Sequence, residues 1–320
     1  MFRTAAGRIT IVPAAFLVAM LIARSAGADP ILVSPGAAAA AMVANLIKPG
    51  SGITVVPGSE TYVGAPLASG LFTGGTGILP FDGGVALTTG LESIIPGPNN
   101  NPSAGFSNGK PPDAGLDAVA RAVLHLGPGV NLHSGDAAIL QFQFTSTSPT
   151  VSFQYVFGSE EYNEFVGTRF NDVFAFFLNG TNIALLPNGD PITVNTVNSG
   201  SDSEYYLDNT AGTLNIQYDG LVGDNLALFA TGSVSTTGVN TIRLGIEDVG
   251  DLLLDSGVML KANSFQGGPP PGPAVPESNT LTLMASALGV ALAPRFTRRW
   301  RALPCRGRNS SCTPRPGVWA

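Results

Sequence analysis

The chain is poor in the residues that build reactive centres. Its only two cysteines, Cys305 and Cys312, stand near the C-terminus, so neither a disulfide nor a thiolate metal site can serve the region before them. The only histidines, His125 and His133, lie in a glycine-rich stretch with no Gly-x-Ser-x-Gly elbow, which argues against a serine-hydrolase triad. Trp300 and Trp319 are both in the tail, leaving the middle of the chain without the usual sugar-stacking residue. Charged residues make up 12%, about half the ~25% of ordinary globular domains. With 44% apolar residues, this excludes a coiled coil and a solvated disordered chain. No apolar run reaches the ~20 residues of a lasting membrane span. Positive charge is scarcest where it would matter for nucleic acids. Residues 29–280 carry six Lys or Arg against 22 Asp or Glu, a net of −16, while the two ends are basic. A nucleic-acid face needs the opposite sign. The glycine-rich stretches also lack the Gly-Lys-Ser/Thr ending of a phosphate loop.

What is abundant is glycine, 40 residues, and proline, 25. Both break helices and punctuate short strands. Leu140, Phe142 and Phe144 alternate with Gln141, Gln143 and Thr145; Val151, Phe153, Tyr155 and Phe157 alternate with Ser152 and Gln154. Period-two patterns of this kind predict half-buried antiparallel strands, and Ser146–Pro149 between them reads as a hairpin link. Val173–Leu178 is apolar on both faces and predicts a central strand. Ile242, Leu244 and Ile246, then Val258, Leu260 and Ala262, predict the last two. Seven of the 17 phenylalanines fall between Phe153 and Phe177, which marks that quarter as the source of the core. Gly36–Lys48 reads as a helix, with Ser34 as its cap, Pro35 at its first position and Pro49-Gly50 as its stop. A second short helix is expected near Asp117–Leu124. A first strand is expected at Ile53–Val56, and loops with short strands such as Val85–Thr88 over Gly58–Gly115. The expected fold is mainly β: an antiparallel, jelly-roll-like β-sandwich with one short N-terminal helix, plus hydrophobic signal helices at both ends.

The ends carry the signals. Arg3 and Arg8, the apolar run Ile9–Ala23 and the small-x-small triplet Ala26-Gly27-Ala28 predict a signal peptide over 1–28, cut after Ala28 by signal peptidase. The domain is then expected over 29–266. A Pro/Gly linker with Val275-Pro276-Glu277-Ser278 follows over 267–280, then a hydrophobic segment with Arg295, Arg298, Arg299 and Arg301 over 281–301, and a tail over 302–320. The apolar core Leu281–Ala293, at ~1.5 Å per residue, underfills a ~30 Å hydrocarbon layer, which suits transient anchoring in the inner membrane. The arginines hold its C-terminal end in the cytoplasm. Val-Pro-Glu, an apolar helix and an arginine cluster resemble the PEP-CTERM sorting signal of Gram-negative bacteria, although Ser278 stands where that signal has a second proline. The resemblance implies Pro276 and Glu277 as processing positions, an exosortase-type enzyme as partner, and a secreted or cell-surface location.

The acids of the domain gather in two windows. One is Ser159-Glu160-Glu161-Tyr162-Asn163-Glu164 with Asn171-Asp172. The other is Glu247-Asp248-Val249-Gly250-Asp251 with Asp255-Ser256. Each is expected in a loop immediately beside a strand. Hard oxygen ligands in flexible geometry suit Ca²⁺, so Glu160, Glu161, Asn171, Asp172, Asp248, Asp251 and Asp255 are its candidate ligands if the loops meet at one end of the sandwich. The same carboxylates, Glu160 or Glu161 with Glu247 or Asp248, could instead form a glycosidase pair, which requires ~5–9.5 Å across a cleft. Tyr155-Val-Phe-Gly-Ser-Glu-Glu-Tyr-Asn-Glu-Phe-Val-Gly, then Phe170-Asn-Asp-Val-Phe, Val194-Asn-Thr-Val-Asn, Tyr206-Leu-Asp-Asn, Tyr218-Asp-Gly and Asp248-Val-Gly-Asp, resemble the choice-of-anchor L domain over roughly residues 34–265. That resemblance implies a β-rich exported domain joined to a surface anchor, with no established activity. The expectation is a non-enzymatic structural or adhesive protein of the envelope, extracellular matrix or biofilm, Ca²⁺-stabilised and contacting exopolysaccharide. A secreted glycan-active hydrolase is the alternative.

Overall fold

The computed structural model describes residues 30–223 and 228–271. The signal-peptide positions Ala26 and Ala28, the Pro276–Glu277 motif, the segment 281–301 and both cysteines lie outside the described residues. Among the described residues no helix is long and apolar enough to cross a membrane.

The elements in chain order are β1 (Leu32–Pro35), α1 (Ala39–Leu46), β2 (Ile53–Val55), β3 (Thr61–Val63), β4 (Ser69–Thr73), β5 (Gly84–Thr88), α2 (Ala114–Val123), β6 (Ser134–Ser146), β7 (Thr150–Ser159), β8 (Val173–Leu178), β9 (Thr181–Asn182), β10 (Tyr206–Asp208), β11 (Gly220–Val222), β12 (Leu228–Ser233), β13 (Asn240–Val249), β14 (Ser256–Lys261) and β15 (Gln266–Gly267). They form two sheets. One runs β1-β4-β5-β14-β7-β11-β10, with β12 and β15 also on β7; the other runs β2-β6-β13-β8-β9, with β3 also on β6. Every ladder between named strands is antiparallel. β7 is the spine of the larger sheet: its ladders run to β14, β15, β11 and β12.

The period-two faces meet between the sheets. Phe142 and Phe144 from β6, Phe153, Tyr155 and Phe157 from β7, and Phe174 and Phe176 from β8 are all fully or almost fully buried in one cluster. Phe265 wedges among them, 5.3 Å from the Phe153 ring and 5.2 Å from Phe144, and Tyr155 meets Phe176 edge-on at 5.0 Å. Large aromatics bury ~150–250 Å² each and such pairs add ~0.5–1.5 kcal/mol, so this cluster supplies much of the driving force.

Both outer faces are covered as well. Val173, Ala175 and Val249 lie beneath Leu116 and Ala120 of α2, while Val156, Met259 and Ala86 lie beneath Ile78, Leu79, Ile216 and Tyr218 from connecting loops. Val173–Leu178 is therefore a central strand apolar on both faces, as its sequence predicts. The low charge content has the same cause: few strand positions face water.

Four sequence expectations are corrected. Ser152 and Gln154 are buried, not solvent-facing, because the Ser152 hydroxyl donates to the Gly268 carbonyl and the Gln154 amide oxygen accepts from Lys261. Ser146–Pro149 is not a hairpin link: β6 and β7 belong to different sheets, so the segment crosses between them. Ser34 and Pro35 belong to β1, not to a helix start. A residue before proline favours extended backbone, pairing with β4 holds it there, and α1 begins at Ala39 without a side-chain cap. The second helix expected near Asp117–Leu124 is present but starts earlier, at Ala114, and among the described residues it is the longer of two α-helices; Asp113 caps it by accepting from the Gly115 and Leu116 amides.

Candidate functional site

The two acidic windows do meet, and backbone hydrogen bonds join them. The Glu160 amide donates to the Asp255 carbonyl (3.1 Å), and the Asn171 amide to the Val249 carbonyl (3.0 Å). The Val249 amide in turn donates to Asp172 Oδ1 at 2.9 Å. Ser159, the last residue of β7, accepts from the Glu161 amide and so sets the turn that carries both glutamates. Glu247 and Asp248 are not in a loop, because β13 extends through Val249. Consecutive strand residues face opposite ways. Asp248 therefore joins the acidic group, whereas Glu247 turns under α2, where its Oε2 accepts the Asp113 amide at 2.7 Å.

Burial is what sets these acids apart. Glu160 and Glu161 are each 1% exposed, Asp172 0% and Asp248 1%. Both Glu160 carboxylate oxygens, Glu161 Oε2 and Asp172 Oδ2 have no hydrogen-bond partner, and neither does the side-chain Nδ2 of Asn171. Among the described residues the one ion pair is Arg243–Asp113, 2.6 Å, which belongs to the α2 side. Among the described residues no cation compensates the cluster. Burial pushes Glu160 up to about 9, with Asp219, Asp255 and Glu164 adding repulsion; the nearby Gln217 amide offsets only part, being committed to Asn99 and Asn101. Glu161 is likewise raised to about 9, by burial and then by Asp172, Asp251 and Glu164. Asp248 is raised furthest, to about 11, by burial and then by Asp172 and Glu161. Asp172 rises only to about 7, because the Val249 amide, Ser256 and Asp248 help hold its charge.

Asp255 and Asn171 are engaged by the protein itself. Asp255 Oδ1 accepts the Phe106 amide, and Oδ2 lies where a side chain on Gly90 would stand, so Asp255 ties the loops around residues 90 and 106. Asn171 Oδ1 accepts the Asn195 amide at 2.8 Å. Asp251 is exposed at the rim. Beside the cluster opens a cavity of about 530 Å³, lined by Glu160, Glu161, Glu164 and Asp251 and walled by apolar residues including Phe165 and Leu253. Among the described residues no three acids or histidines converge into a finished metal cage. The charge is spread over the cavity and the pocket behind it.

Sequence reading passed over two members. Glu164 stands in the first window but not among the candidate ligands. Asp219 reaches the cluster from the residue just before β11, far along the chain, and its only sequence signal is the Tyr218-Asp219-Gly220 triplet. Glu92, like Glu160 a buried acid with both oxygens unpartnered, lies apart beside Gly70 and Tyr62; burial raises it to about 8.

No curated protein and no solved structure matches this chain. The family model described as the choice-of-anchor L domain matches residues 36–266, the whole of the sandwich from the end of β1 onward. The chain belongs to the choice-of-anchor L domain family, a β-rich domain associated with the cell surface.

Proposed function

We propose that the mature chain is a non-enzymatic structural or adhesive module of the cell envelope or extracellular matrix, stabilised by Ca²⁺ and contacting exopolysaccharide. Family membership supports the surface role. The signal-peptide pattern ending at Ala28 and the Pro276–Glu277 motif with its arginine cluster support export and sorting by an exosortase-type enzyme in a Gram-negative envelope. The observation that carries the cation reading is a set of buried carboxylates, Glu161, Asp172 and Asp248, in which Glu161 Oε2 and Asp172 Oδ2 have no partner, with Asp251 at the rim. Buried charges are ordinarily paired or ligate metals, since the desolvation of an unpaired carboxylate costs several kcal/mol. A hard divalent ion that accepts six to eight oxygens in flexible geometry suits carboxylates not already drawn into a tight cage. Calcium there replaces mutual repulsion with bridging and links β7, β8 and β13 at one end of the sandwich.

Thermal melting of the full-length chain in mild detergent with increasing Ca²⁺ tests this. Binding to the folded state alone adds about 2.7 kcal/mol at a hundredfold excess over Kd. An unchanged midpoint across the titration removes the cation. The second reading, a glycan hydrolase, has one observation in its favour: Glu160 lines a cavity and holds a proton to about 9, as a general acid must near neutral pH. Release of reducing ends from a polysaccharide, lost in Glu160→Gln, would establish it; no release leaves the structural reading standing.

A further inference from the structure

We propose that the cavity beside Glu160 binds a protonated amino sugar, so that the polysaccharide contacted at the surface is one bearing free amines. The inference rests on the polysaccharide-contact reading above and names the chemistry of that contact. Four carboxylates, Glu160, Glu161, Glu164 and Asp251, line the cavity, and among the described residues no basic one does. Anionic sugars are therefore repelled and neutral ones find no charge to match. Glu160 is 1% exposed and both its carboxylate oxygens lack partners. An ammonium group, with three N–H donors and no acceptor, satisfies them in a way that a hydroxyl, donating once, does not.

The cavity is also larger than a lone ion needs. At about 530 Å³ it falls within the ~300–1,000 Å³ typical of small-molecule sites. Phe165 and Leu253 give it an apolar wall, and Leu253 is 63% exposed. A sugar ring presents C–H faces to such a wall while its substituents face the acids; a bare metal ion gains nothing from it. The acids do not converge as a cage, which suits a cation carried on a ring of this size. Glu161 also faces Asp172 and Asp248 behind the cavity, so Ca²⁺ held there leaves Glu160 and Glu164 for the sugar.

Calorimetric titration of the full-length chain in detergent, at fixed Ca²⁺, compares a glucosamine oligomer, its fully N-acetylated counterpart and spermidine. The expected result is binding of the glucosamine oligomer and about tenfold or weaker binding of the other two, in line with the strength of charge-assisted pairs. Glu160→Gln should weaken the glucosamine oligomer by a similar factor. Equal affinity for the acetylated oligomer overturns the amine requirement while leaving polysaccharide contact intact. Spermidine binding as tightly overturns the sugar, and no binding of any probe overturns the site. The comparison among probes on the wild-type chain holds even if the variant fails to fold. Calcium-dependent melting without sugar reports separately on the cation reading.

Discussion

Tyr155 sits at the centre of the aromatic core with its hydroxyl buried and without a partner. An unsatisfied buried hydroxyl costs free energy that a phenyl ring of the same shape does not. Tyr155→Phe is expected to hold or raise stability, by up to about 1 kcal/mol, in denaturant unfolding; a loss of that size would mean the hydroxyl has a partner after all. Gly220 shows the reverse case: a Cβ there would stand 2.4 Å from the Tyr162 ring. Gly220→Ala should cost about 1–3 kcal/mol by overpacking. In the acidic cluster, Asp248 must take up a proton on folding near neutral pH, because burial raises it to about 11, and Asp248→Asn removes that cost. In chelator at pH 8 it should raise the melting midpoint, by about 1 kcal/mol or more in stability, and abolish the response to Ca²⁺. A variant that still responds like the parent would take Asp248 out of the cation site. At this scale the sequence identifies the acids by their crowding but not by their orientation. Glu247 and Asp248 look equivalent on the page, and only their register on β13 separates them.

The element whose stability is most open to test is α2. Asp113 caps it, pairs with Arg243 at 2.6 Å and donates its own amide to Glu247. Replacing an Asp cap by alanine costs about 0.5–2 kcal/mol, so Asp113→Ala should lower stability by about that amount. It also strips the cover from Val173 and Val249, which faster amide exchange in β8 and β13 would report. Strands of period two were legible wherever one face packs inward: β6, β7, β13 and β14 fall where their alternation predicts, and β8 falls where an unbroken apolar run does. Helix starts were less legible. Ser34-Pro35-Gly36 carries cap and first-turn chemistry, yet the same residues suit an edge strand, and pairing with β4 decided between them. Partner choice was not legible either. Ser146–Pro149 has hairpin composition, and nothing local says that its flanking strands join different sheets.

For the molecule as a whole, the buried acids set the pH response. Glu160, Glu161 and Glu247 are raised to about 9, Glu92 to about 8 and Asp255 to about 7, against ~4 in an unfolded chain. Between those limits the folded state binds more protons than the unfolded one, so stability falls as pH rises. In chelator the melting midpoint should be highest near the ordinary carboxyl range and decline steadily toward pH 9. Ca²⁺ should flatten that decline at its alkaline end, because a divalent ion replaces the lost protons. A midpoint that rises from pH 5 to 8 in chelator would contradict the burial of these groups.

The amino-acid sequence alone determines the β class, the placement of the strongest strands, the acidity of the body and the crowding of its carboxylates. Each follows from local composition and from the two-residue repeat of a pleated chain, which needs no knowledge of partners. Tertiary structure decided which strands share a sheet, that both outer faces are covered, and that Glu160, Asp219 and Asp248 from distant segments enclose one region without a counter-charge. Those outcomes depend on long-range pairing, where many registers satisfy the local pattern and only the packing of the complete core selects one.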